Sequence, residues 1–178
     1  MIFSEYFYKL LEENDAKRSY GCLMLDCSEL GKKVEALQSN IEPEDIYEED
    51  GHGLEKDAHI TVLYGFHEQD GQVIKNSLEF SPIEYELTGL SLFENDDFDV
   101  LKFTVKSKDL KKLNKECSDT FENTNDYPDY IPHMTVAYLL PGTGKKYVKL
   151  KSPIIDKSFT SGKFIFSTKD SEKTKWKV

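Results

Sequence analysis

His59-Ile60-Thr61-Val62-Leu63-Tyr64 returns later in the chain as His133-Met134-Thr135-Val136-Ala137-Tyr138. Both copies read His, apolar, Thr, apolar, apolar, Tyr. In a β-strand alternate side chains share a face. His and Thr then point one way, while Ile60/Val62 and Met134/Val136 point into a core. One such strand is unremarkable; two of them bring two imidazoles and two hydroxyls within reach of one pocket.

The flanking sequence repeats as well. Tyr20 to Asp26 is a short apolar run that reads as a buried strand, and Ser28 reads as the N-cap of a helix over 29–39 with Leu30, Val34 and Leu37 buried. An acidic loop over 40–57 then leads into the His59 strand. The same order recurs as a strand at 98–105, a helix at 108–122 with Leu110, Leu113 and Phe121 apolar, a loop at 123–132 and the His133 strand. Between the units, Val73, Ile74 and Leu78 mark a helix over 70–80. Ile83–Phe93 and Phe98–Val105 form a hairpin across Glu94-Asn95-Asp96-Asp97. Before them, Ile2, Phe3, Tyr6, Phe7, Leu10 and Leu11 sit at helical spacing. After them come a strand near 157–167 and a polar tail holding the only Trp, Trp176. The expected fold is α+β: two pseudo-symmetric β-α-β lobes, each with a mainly antiparallel sheet, around a central cleft. The chain reads as a single domain, 1–178, with lobes at roughly 15–95 and 96–168 that cross over.

Composition limits the partners. The 178 residues are 38% hydrophobic and 31% charged, enough apolar mass for a core and too polar for a membrane protein. No apolar run approaches a membrane span, and the first residues lack the pattern of a signal peptide. Cys22, Cys27 and Cys117 have no metal-ligand spacing and read as reduced thiols of a cytoplasmic protein. Residues 1–142 carry a net charge of −17 and residues 143–178 a net +7. An acidic body argues against tracking a long nucleic acid, yet leaves room for a small anion in a basic pocket. His52 and His67 have no partner pattern and read as surface or loop residues. Gly142-Thr143-Gly144-Lys145 lacks the full phosphate-loop pattern and reads as a turn.

Two histidines facing one cleft suit acid–base chemistry near neutral pH, one taking a proton and the other giving one. Hydroxyls two residues away can donate to non-bridging oxygens as charge builds. The matching electrophile is a phosphodiester. In an RNA-type linkage the 2′-hydroxyl can be the nucleophile, so the chemistry asks for no metal and no cofactor. Two His without a third ligand make a poor zinc site, and no Ser or Cys sits in a nucleophile elbow.

These paired H-x-T motifs on repeated units resemble the two-histidine (2H) phosphoesterases over roughly residues 20–168. Tyr20-Gly21-Cys22, Asn40 to Tyr47 and Leu63-Tyr64-Gly65-Phe66 further resemble the phage branch that counters the CBASS bacterial defence. The resemblance implies His59 and His133 as the acid–base pair, Thr61 and Thr135 on phosphate, and Tyr20 along the nucleotide pocket. It implies Trp176 stacked on a base, with Glu172, rather than Asp170, as the acidic residue shortly before it. Phe93 stands in for a tryptophan that some relatives carry in the central sheet. The implied activity is a metal-independent phosphodiesterase that linearises cyclic di- or trinucleotide immune signals such as cGAMP. The implied setting is a monomer in the cytoplasm, that of the host if the protein is phage-encoded. Two alternatives stand beside it: a phosphodiesterase for RNA 2′,3′-cyclic phosphate ends or 2′–5′ oligoadenylates, and a sponge that binds cyclic nucleotides without cutting them.

Overall fold

The computed structural model describes residues 20–49, 52–125 and 129–178. The helix expected from Ile2, Phe3 and Tyr6 onward lies outside these, as do Gly51 and Pro128 of the expected loops. Among the described residues eight strands form two four-stranded antiparallel sheets. The first sheet orders β2 (His59–Phe66), β1 (Gly21–Asp26), β7 (Lys163–Ser167) and β8 (Lys173–Lys177). The second orders β5 (His133–Leu139), β4 (Asp99–Lys106), β3 (Ile83–Glu94) and β6 (Lys157–Ser161). Each sheet therefore places its His-Thr strand at one edge, beside the strand that opens its β-α-β unit. The two lobes and the antiparallel sheets are as expected. Their boundaries differ: β3 belongs to the second sheet, while β7 and β8 return to the first, so the crossing-over is larger than the 15–95 and 96–168 division.

Among the described residues three α-helices pack outside: α1 (Gly31–Gln38), α2 (Gly71–Ser77) and α3 (Lys108–Thr120). Leu30, Val34 and Leu37 are buried, as are Leu110 and Leu113. Ser28 does not cap α1. Its N–H donates to Asp26 Oδ1, and a 3-10 turn at Ser28–Leu30 precedes the α-helix. At α3 the cap is Ser107, whose Oγ accepts from the Leu110 N–H and donates to the Glu84 carbonyl. Phe121 ends α3 rather than lying within it, and the apolar position inside its last turn is the buried Cys117. In α2 Ile74 is buried but Val73 is exposed. The Gly142–Lys145 stretch is a turn leading into a 3-10 helix, and buried Asp99 holds it by accepting from the N–H groups of Gly142 and Gly144. No helix among the described residues is long and apolar enough to cross a membrane.

Each motif strand, an edge in its own sheet, is covered by a strap from the other unit. Residues 45–47 and 53–55 run along β5: Tyr47 N–H donates to the Tyr138 carbonyl, Tyr138 N–H to Gly53, Glu55 N–H to Val136 and Leu140 N–H to Asp45. Reciprocally, residues 122–124 run along β2, with Thr124 N–H donating to the Gly65 carbonyl and His67 N–H to Glu122. Side chains add to each. Gln38 Nε2 of α1 donates to the Glu55 and Val136 carbonyls, and Asn114 Nδ2 of α3 donates to Val62. Val62 and Val136 occupy the same place in the two motifs. An uncovered edge would leave these carbonyls unpaired, so the two straps serve as edge protection. Gly65 permits the close approach: its φ is +110°, and a Cβ there would lie 2.2 Å from the Thr124 carbonyl oxygen.

Candidate active site

The alternation read from the repeat is realised atom by atom. Ile60, Val62, Met134 and Val136 are fully buried, whereas His59, Thr61, His133 and Thr135 are half-buried and line one cleft of about 760 Å³ between the lobes. His59 Nδ1 lies 2.6 Å from the Asp57 carbonyl and His133 Nδ1 lies 2.9 Å from the Ile131 carbonyl. A carbonyl can only accept, so in both rings Nδ1 carries the hydrogen and the neutral imidazole keeps its lone pair on Nε2. The bond reaches back two residues in each copy, a product of where the chain enters the strand. It fixes ring orientation as well as tautomer.

The surroundings of the two rings differ. Opposite His59 on β1 stands Asp26, whereas opposite His133 on β4 stands Thr104. Phe93 packs edge-on against His133 with centroids 5.1 Å apart, and the buried Lys102 stands opposite Thr135. Burial lowers the pKa of His133 to about 4, with the positive charges of Lys102 and His59 adding to the effect and the Ile131 carbonyl opposing it. His133 is therefore neutral at pH 7. Burial also brings the Lys102 ammonium down to about 8.

Of the further residues expected at the site, Phe93 lines the cleft and three others do not. Tyr20 stacks on His67 (5.2 Å, 17°) and meets Tyr64 edge-on, one ring back from the cleft wall. Glu172 lies in the β7–β8 turn, its N–H donating to Thr168 Oγ1 and its carbonyl accepting from Thr168 N–H. Trp176 is 7% exposed and packs between Phe80 and Phe164, on the outer face of β8. Strand alternation explains the displacement. Residues 173–177 are a strand and not a tail, so Lys173 and Lys175 face the cleft and Trp176 must face away. His52, expected as a surface or loop residue, sits among aromatics, stacked on Phe98 (5.4 Å) and edge-on to Tyr138 (4.7 Å). Lys102 escaped the sequence reading. The signal was a lone lysine at a position of β4 flanked by buried apolar neighbours. Among the described residues no three His, Cys, Asp or Glu side chains cluster as a metal ion would require.

Comparison with known proteins agrees with the geometry. Residues 28–162 match the family described as the 2′-5′ RNA ligase superfamily. The fold is similar to crystal structures of E. coli LigT. The complex with phosphate is 12% identical, with a TM-score of 0.56 over 92% of this chain and 96% of the other. The complex with ATP gives 12%, 0.55, 92% and 96%, and the complex with 3′-AMP gives 12%, 0.55, 89% and 94%. No curated protein sequence matches the chain.

Proposed function

Because the chain belongs to the 2′-5′ RNA ligase superfamily, we propose that it is a 2H-type phosphodiesterase working by acid–base catalysis between His133 and His59. One observation carries the reading: two imidazoles, each pinned through Nδ1 to a carbonyl two residues back, line one cleft with the Nε2 atoms left for chemistry. His133, neutral at pH 7, is the base. At an RNA-type 3′–5′ bond its Nε2 takes the proton of the 2′-hydroxyl, O2′ bonds to phosphorus, and O5′ leaves with a proton from His59. Thr61 and Thr135 donate hydrogen bonds to the non-bridging oxygens, which gain charge in the transition state. Each histidine exchanges protonation state once, so a second step with water in place of the alcohol resets the pair.

The substrate in this reading is a cyclic di- or trinucleotide immune signal such as cGAMP, linearised to escape a CBASS defence. Support comes from the flanking Tyr20-Gly21-Cys22 and Leu63-Tyr64-Gly65-Phe66 stretches and from a cleft roomy enough for more than one nucleotide. The family's name and the positions of Trp176 and Glu172 outside the cleft favour a second reading. In it the substrate is an RNA 2′,3′-cyclic phosphate end or a 2′–5′ oligoadenylate, needing neither residue. The complex of E. coli LigT with 3′-AMP lends nucleotide binding to both. The experiment incubates the protein with 3′,3′-cGAMP, a 2′,3′-cyclic-phosphate oligoribonucleotide and 2′–5′ triadenylate, each with EDTA, and resolves products by mass. A linear dinucleotide, lost in His133→Ala, supports the first reading, and opening of the RNA end or trimer alone supports the second. Intact ligands retained on the protein would replace catalysis by sequestration.

A further inference from the structure

Lys102 is a cation in a place where an apolar side chain would be expected. It is 4% exposed, its Nζ donates to Ser91 Oγ at 2.8 Å, and it lies 4.0 Å from the centre of the Phe93 ring. Among the described residues it has no carboxylate partner. Ser91 Oγ is also 2.8 Å from Thr104 Oγ1, and Thr104 and Lys102 stand opposite His133 and Thr135 respectively. The ammonium is thus faced by Ser91 and Phe93 from β3 and by Thr135 and His133 from β5, and His133 is the one of these four that titrates. A buried charge without a counter-ion destabilises the fold, and an apolar residue of similar length would relieve it. The missing negative charge is one that a phosphate seated at Thr135 would bring.

We infer that Lys102 is a positioning residue of the reaction: held by Ser91 and Phe93 on the same sheet face as its ladder partner Thr135, it lends positive potential to the phosphate seat without itself lining the cleft. It contacts neither substrate nor the reacting atoms. Its field favours the extra charge on the phosphorane and disfavours charge on the His133 ring, so it helps His133 remain a base. The inference rests on the phosphodiesterase reading for its effect on turnover, but not for its effect on His133.

Two variants test it. Lys102→Met keeps the stem and removes the charge; Lys102→Arg keeps the charge. For Met the expected result is a kcat lowered about tenfold or more with KM changed less than about threefold, at an unchanged or raised Tm. Arg is expected to keep the larger part of kcat. An NMR titration of His133 is expected to move upward from about 4 in the Met variant. That readout is independent of any substrate and reports whether the Lys102 charge acts on the His133 ring, while the split between kcat and Tm separates a part in the reaction from a purely structural one. Full kcat in the Met variant, a loss that only follows a fall in Tm, or an unmoved His133 titration would each overturn the inference. If the unmodified protein turns over no phosphodiester, the phosphodiesterase reading fails and the His133 titration alone decides the role of Lys102.

Discussion

The strands β2 and β5 carry the same six-residue pattern and the same alternation of buried and half-buried positions, yet one histidine sits in a different electrostatic setting from the other. Around His133 gather an aromatic edge and a buried lysine; across from His59 stands a carboxylate. The repeat makes two equivalent positions, and the strands beside the repeat make them inequivalent. In the proposed mechanism, acid and base are therefore told apart by β3 and β4 rather than by the motif itself.

The largest way to strain that comparison is to remove each ring. His59→Ala and His133→Ala are each expected to lower kcat by about 10²–10⁴ at pH 7 with Tm little changed, measured on whichever phosphodiester proves to be cleaved. A milder loss in one variant would mean that water replaces that ring. Next comes Trp176→Ala, which should lower stability by about 3–5 kcal/mol in denaturant unfolding while leaving kcat/KM of the folded protein unchanged. A stable variant with raised KM would place the indole on the substrate instead. The third is pH. His133 binds its proton near pH 4 when folded and near 6.5 when unfolded, so between these values the unfolded chain holds more protons. Stability should fall as pH drops from 6.5 to 4, by a few kcal/mol at most, approximately flat above that window. His133→Ala should remove this component. The smallest effect compares the clamps: Gln38→Ala breaks two bonds at β5 and Asn114→Ala one at β2, at about 1–3 kcal/mol each, with Gln38 the larger. Equal losses would show that the second Gln38 bond adds nothing.

The motif strands, the hairpin at 83–105 and the helix at α3 were legible because a period of two or 3.6 exposes them directly. What escaped were features set by strands far apart in sequence. Lys173 to Lys177 alternates lysine with Thr and Trp, so a single apolar side chain was left to announce β8, and a polar tail was the simpler reading. Once β8 is a strand, the position of Trp176 follows. Lys102 looked like a surface residue because its burial depends on Ser91, Phe93 and Thr135, from two neighbouring strands. The straps at 45–47, 53–55 and 122–124 read as loops because they form isolated bridges and single hydrogen bonds rather than runs of alternation.

The exchange of chain between the sheets also governs when the molecule can form. β1 is flanked by β2 on one side and β7 on the other, and Leu23 pairs with Phe166, more than a hundred residues away. The strap segments 45–47 and 53–55 need β5, and β5 in turn needs β4. Neither lobe can complete its hydrogen bonding from a contiguous half of the chain. During synthesis the first sheet must wait, partly unpaired, until β7 has left the ribosome. With so many contacts between distant residues, folding should be slow and all-or-none, and a chain cut short before β7 should aggregate rather than persist as a half-molecule.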